Sequence, residues 1–364
     1  MLMVVEKERR VGTAVEVTLA ESSRLAAGEV DDNLNWADYL AYLQAYPADD
    51  VIRLDVTEPQ IFQVVDVQGQ PLPGVLIQVT VDGQPLTELR THGDGSALFF
   101  PGIYGAPAGQ YEATAVSDNQ TVSIPFTVGD GSDGWGLTFP EDKELATAVP
   151  LDILFLVDAT GSMDDEIRQL KDNMVAIAMQ ISALPSQPDV RFSLVTYRDR
   201  TDDFLVNTVP FTSELESFVA ALAEIEAGGG GDYPEDLQAG LASALYVSDW
   251  RQENGVSLIF LIADAPPHLD YEHEDDYAVY LQQAVGHGIK IYPIASSGLD
   301  AQGEYIFRQL AQVTNGRFIF LTDNGDEDGV SSGEANFAIT DYTVADLDEL
   351  IIQIVAEELA PLVP

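Results

Sequence analysis

The stretch LDILFLVDATGSMDDEI, residues 151–167, decides how the rest of the chain is read. An unbroken apolar run lies between Asp152 and Asp158. A half-exposed strand alternates apolar and polar residues, so an unbroken run reads as a strand covered on both faces. It ends in three oxygen-bearing side chains spaced by two: Asp158, Thr160 and Ser162. A helical pattern follows at once, with Ile167, Leu170, Met174, Ile177 and Ile181 on one apolar stripe.

The same strand-then-helix step recurs to the end of the chain. VRFSLVTY, FLVNTV, VSLIFLIA, IKIYPIA and RFIFL alternate with helical patterns near 164–184, 214–226, 235–248, 275–286, 303–313 and 344–359. The expected fold class is therefore α/β, a doubly wound and mostly parallel sheet over 150–364. The periodicity predicts that this stretch closes its core alone. Residues 55–130 read differently, as short β-rich runs separated by turn signals, with Asp82-Gly83 a tight-hairpin pair. They predict a small all-β sandwich. Residues 131–149, rich in Gly and Asp, read as a linker. Residues 1–54 predict one short amphipathic helix around NWADYLAYLQAYP, ended by Pro47.

Composition narrows the function. The net charge is −45, from 16 Lys and Arg against 61 Asp and Glu, which argues against a nucleic-acid partner and against docking on anionic lipid. The surplus acid gives solubility, and a cation is the ligand it favours. There is no cysteine, hence no disulfide or thiolate chemistry. No apolar run is long enough to span a membrane, and MLMVVEKERR is too short in its apolar part for a secretory signal. Export therefore implies a leader that this sequence does not contain.

Parallel sheets bind ligands beyond the carboxyl ends of their strands. Asp158 ends one strand and Asp264 ends VSLIFLIAD. Between them, GGGGDYPED carries Asp232 just before a helix expected to start near Pro234. Asp158, Thr160, Ser162, Asp232 and Asp264 are all hard oxygen donors, a set suited to Mg²⁺ or Mn²⁺. A lone DxTxS is also a common helix N-cap, with its hydroxyls satisfying free amides.

The three loops resemble the metal-ion-dependent adhesion site of von Willebrand factor A domains, whose first loop reads Asp-x-Ser-x-Ser. Here DATGS places Thr160 at the first Ser. GGGGDYPED and IADAPPH are similar to the second and third loops of the hemicentin-like and alpha-kinase-associated branch. The resemblance covers about 150–360. It implies that Thr160 and Ser162 ligate the metal directly, and that Asp158 and Asp264 hold it mostly through water. The usual second-loop Thr is absent, and Asp232 is its substitute. It also implies a module whose metal captures an exposed Asp or Glu of a protein partner, on a cell surface or in the periplasm; no general base, nucleophile or cofactor fingerprint is visible in the sequence, so no enzyme is expected. The alternative is an intracellular scaffold or regulatory subunit, for instance beside a ring ATPase. Upstream, VVDVQGQPLPGVLIQV, GDGSALF and GQYEATA resemble carboxypeptidase-regulatory or transthyretin-like modules.

Other candidates are weaker. DATGS is faintly similar to the Asp-Lys-Thr-Gly-Thr of phosphorylated-aspartate pumps, but the Lys is missing. In NGDEDGVSSGE, Asn324, Asp326 and Asp328 fit the start of a Ca²⁺ loop, and Glu334 falls one residue short of its last ligand. HLDYEH, from His268 to His273, reads as a polar loop or as the rim of the metal site. His92 reads as a surface turn residue.

Overall fold

The computed structural model describes residues 25–105, 107–118, 120–129, 131, 134–143, 147–322 and 343–363. Strand β1 (Ala26–Val30) and helix α1 (Trp36–Ala45) come first. Seven strands follow: β2 (Gln60–Val65), β3 (Leu76–Val81), β4 (Gln84–Arg90), β5 (Ser96–Phe99), β6 (Tyr111–Ser117), β7 (Gln120–Phe126) and β8 (Gly134–Thr138). The alternating part runs β9 (Pro150–Asp158), α2 (Asp164–Ser182), β10 (Asp189–Tyr197), β11 (Val206–Thr212), α3 (Leu215–Ala223) and α4 (Leu237–Ala242). It continues with β12 (Val256–Ala263), α5 (Tyr277–His287), β13 (Ile289–Ala295), α6 (Ala301–Val313), β14 (Phe318–Thr322), β15 (Thr343–Asp346) and α7 (Leu347–Leu359).

The main sheet has the order β11-β10-β9-β12-β13-β14-β1-β15. Strands β10, β9, β12, β13 and β14 are parallel, and β11 is an antiparallel edge. Side chains of a strand alternate between its faces. In β9, Ile153, Phe155 and Val157 accordingly join one core, with the stripe of α2, Phe218 of α3 and Leu350 of α7. Leu154 and Leu156 join the other, with Leu237 of α4, Leu281 of α5 and Ile306 of α6. Two covered faces explain why the central strands carry no polar alternation.

Ahead of this, β5-β2-β8 and β4-β3-β6-β7 form two sheets that share Phe62, Phe99, Tyr111 and Phe126. Asp82 and Gly83 both have positive φ, the primed turn that this pair favours in a hairpin.

Three expectations change. Residues 134–138, read as linker, are strand β8, paired in parallel with β2. Leu137 and Phe139 are fully buried, and Trp135 donates its indole N–H to Gln60 (2.9 Å). Their apolar alternation outweighs the flanking Gly and Asp. Residues 150–364 do not supply the whole sheet, because β1 lies antiparallel between β14 and β15. His92 is buried at the contact between the sandwich and the α/β part, with Nδ1 3.3 Å from the Gly288 carbonyl. Burial, with Lys290 nearby, brings its pKa down to about 4.

Candidate functional site

The site lies where β9 meets β10 on one side and β12 on the other, the point at which the strand order turns around. Register puts Asp158 level with Tyr197, and Val157 level with Ile262, so Asp264 stands just past the end of β12. The first loop is pinned by Ala159 N–H to the Tyr197 carbonyl (2.9 Å). The glycine loop lies against it, through Gly228 N–H to Ala159 (3.0 Å) and Gly161 N–H to Gly229 (3.3 Å). Gly229 and Gly230 both take left-handed φ, and a Cβ on Gly230 would stand 2.9 Å from Glu235 Oε1 and 3.4 Å from Thr160 Cβ. Only glycine fits both the turn and the approach.

Asp158 is 0% exposed. Its Oδ1 accepts hydrogen bonds from the Thr160 N–H (2.9 Å) and hydroxyl (2.7 Å), and its Oδ2 has no partner. Asp264 Oδ1 is likewise buried and unpartnered. Ser162 is exposed, with its hydroxyl 3.4 Å from that of Thr160. Burial and then the charge of Asp264 raise the Asp158 pKa to about 7. Burial, with Glu166 adding repulsion, also raises that of Asp264.

The helix-cap explanation of DATGS fails. Thr160 precedes a short 3₁₀ turn, Gly161–Met163, and Met163 precedes α2, but neither side chain makes a capping bond. The Thr160 hydroxyl is turned back to Asp158 instead.

Two neighbours escaped the sequence reading. Glu235 is buried, its Oε2 is unpartnered, and its pKa is pushed up to about 9 by burial and by Asp158, Asp199, Asp202 and Asp264. The helix expected near Pro234 starts only at Leu237, because Asp236 is its cap, accepting from the Ala239 N–H (3.0 Å). That leaves Glu235 extended and bridged to Pro267, a position aimed at the site. Asp199, after β10, is the second. It is 1% exposed and belongs with Asp232 and His268, whose ligand atoms all lie within 4.8 Å of one another. Asp232 is thus placed against His268 Nε2 (3.6 Å), with its side chain 63% exposed. Among the described residues, Asp158 and Asp264 join no such acid-histidine trio. His268 is buried, not part of a solvated loop, and His273 sits 2.9 Å from the buried Asp236. Asn324, Asp326 and Asp328 lie outside the described residues.

With this geometry in place, residues 152–323 match the family model for the von Willebrand factor A domain. Residues 152–323 are a von Willebrand factor A domain. The A domain extends its likeness to several longer proteins. An alpha-protein kinase, vwkA, of Dictyostelium discoideum is 29% identical over 64% of this chain and 37% of its own length. A von Willebrand factor A domain-containing protein 7 of Rattus norvegicus is 36% identical over 31% of this chain and 12% of its own. Hemicentin-1 of Mus musculus is 24% identical over 50% and 3%. The chain therefore spans little more than a third of the kinase and far less of the other two. Among the described residues, no helix is long and apolar enough to cross a membrane.

In metal-free protein, the raised carboxyl pKa values set a direction of pH dependence. An acid whose folded pKa exceeds its unfolded one stabilises the fold while protonated, and that stability is lost as pH rises. The loss runs from the ordinary carboxylate range up through about 7 for Asp158 and about 9 for Glu235. In chelator, the unfolding midpoint of the wild type is expected to fall between pH 7 and 9 by roughly 5 °C. Glu235→Gln is expected to remove most of that slope. An unchanged slope in the variant would show that Glu235 is not the titrating group.

Proposed function

We propose that this A domain is a divalent-metal-dependent protein-binding module, with Asp158, Thr160, Ser162 and Asp264 holding Mg²⁺ or Mn²⁺. The observation that carries the reading is the pair of buried, unpartnered carboxylate oxygens, Asp158 Oδ2 and Asp264 Oδ1, at one edge of the sheet. A buried acceptor with no donor is costly, and a hard cation is the ligand that such oxygens fit. Thr160 and Ser162 keep hydroxyl lone pairs free of any capping role. When bound, the ion supplies a positive centre that reverses the local sign of a chain at −45 and accepts a partner carboxylate.

The residues divide the remaining work. Asp158 Oδ1 fixes the Thr160 hydroxyl, so the first loop is held in place before any ligand arrives. Glu235 is a neutral acid near pH 7 in the metal-free protein, so it adds no charge against an incoming anion. The word kinase describes the relative, of which the match covers 37%, and this reading assigns the chain no catalytic residue.

A displayed peptide library with a fixed Asp or Glu, and its Asn or Gln counterpart, tests the proposal. Binders are expected only with the acid, only with divalent ion present, and tenfold or more weaker with Thr160→Ala or Ser162→Ala, since loss even of a group that supports a metal ligand costs about 10–100-fold in metal affinity. Peptides that bind equally well in chelator, or equally well as amides, would overturn it.

A further inference from the structure

We propose that Asp199, Asp232 and His268 form a second cation site, for a borderline transition-metal ion of the Zn²⁺ class. Each ligand comes from a different loop: Asp199 follows β10, Asp232 sits in the glycine loop, and His268 follows β12. The loops are tied to one another before any ion is considered. His268 N–H donates to the Glu235 carbonyl (3.0 Å), and Glu235 N–H donates to that of Pro266 (3.0 Å).

The histidine is prepared as a ligand. Its Nδ1 lies 2.8 Å from Asp270 Oδ1, an acceptor that draws the ring proton to that side. Nε2 is then left with a lone pair, buried and without a partner. A carboxylate behind the ring is the usual second partner of a metal-bound histidine. The ring also stacks on Tyr271 at 3.8 Å and 10°. The Tyr271 hydroxyl donates to Asp199 Oδ2 (3.0 Å), which leaves Asp199 Oδ1 unpartnered and 3.9 Å from His268 Nε2. Asp232 Oδ2 stands 3.6 Å from the same nitrogen.

Three acceptors thus face one another with no donor between them, two of them on side chains only 1% and 5% exposed. The separations are too long for hydrogen bonds. The two distances from Nε2, 3.6 and 3.9 Å, are a few tenths of an ångström wider than the edge of a tetrahedron built on Zn–N and Zn–O bonds, about 3.4 Å. The nearest guanidinium does not fill the gap. Arg200 lies over the Tyr271 ring at 4.2 Å and is bonded to Asp236 and to the Glu272 carbonyl. An imidazole in the set selects against Mg²⁺ and for the Zn²⁺ class. Asp232 is on the exposed side, so a fourth position opens to solvent. This site does not depend on the reading of Asp158, with which it shares no ligand.

The test uses the full chain stripped of metal and titrated with Co²⁺, whose visible absorption reports low-symmetry coordination, with Zn²⁺ as competitor. One equivalent is expected to give a band that survives Asp158→Asn and excess Mg²⁺ and is displaced by Zn²⁺. His268→Gln and Asp199→Asn are each expected to remove the band and weaken binding at least tenfold. Should either variant misfold, ¹⁵N resonances of the wild-type imidazoles decide, since the chain has only 4 histidines. Zn²⁺ is expected to shift Nε2 of His268 alone. A band that persists in both variants, displacement by Mg²⁺, or a His268 Nε2 unmoved by saturating Zn²⁺ would overturn the site.

Discussion

A fragment of residues 150–364 is expected to lose cooperative unfolding, whereas one starting at residue 25 keeps it. Without β1, β14 loses a pairing partner and the edge strand β15 loses its link to the rest of the sheet. Ala27 leaves the core beneath α7, and the fully buried Tyr39 leaves the other one. The largest single loss is electrostatic. Arg308 of α6 donates to both oxygens of Asp32 (2.9 and 2.6 Å) and to Glu304 (3.1 Å), with its guanidinium 3.9 Å from the Tyr42 ring centroid. Arg308 and Asp32 are both buried. Breaking such a pair from one side costs about 3–5 kcal/mol, because the remaining charge stays buried. That is a large share of a typical domain stability of about 5–15 kcal/mol. Asp32→Ala in the full chain isolates this term, and urea unfolding measures it. If the 150–364 fragment unfolds with the midpoint of the longer chain, β1 is dispensable and this account fails.

The second large effect concerns divalent ions. In wild-type protein, Mg²⁺ or Mn²⁺ at a thousandfold its Kd is expected to raise stability by about 4 kcal/mol, on the order of 10 °C in midpoint. Asp158→Asn is expected to abolish this gain. In chelator, the same variant is expected to be at least as stable as wild type. It keeps the acceptor that holds the Thr160 N–H and hydroxyl, and it removes a charge that burial and Asp264 oppose. The two signs together separate a metal ligand from a structural aspartate, which would destabilise under both conditions. A wild-type midpoint indifferent to both ions would remove the basis for the proposed binding module.

The α/β fold was legible because burial on both faces writes itself into composition. The run before Asp158 has no polar interruption, and the stripe Ile167, Leu170, Met174, Ile177 and Ile181 is the buried face of α2. That Asp158 and Asp264 stand at strand ends was legible because such ends are easy to locate in this pattern. What the sequence concealed depends on pairing between distant segments. Ala26–Val30 carries the weak pattern AAGEV, and nothing local says that its partners lie at residues 318–322 and 343–346. Glu235 was hidden by a helix start placed near Pro234 instead of at Leu237, and Asp199 had no motif. His268 looked solvated because its covering partners, Tyr271 and Asp199, meet it only in three dimensions.

The place of β1 also sets an order of events during synthesis. Ala26 pairs with Thr322, almost 300 residues later, whereas the sandwich strands find every partner within residues 60–138. At about 5–20 residues per second, the ribosome takes roughly 15–60 s to deliver that distant partner. The sandwich is complete long before then, and β1 waits beside it with its backbone amides and carbonyls unclaimed. An open strand in a half-made chain is a template for the wrong neighbour. The nascent protein is therefore most exposed to misassembly in that interval, which closes when residues 318–346 have emerged to pair with β1.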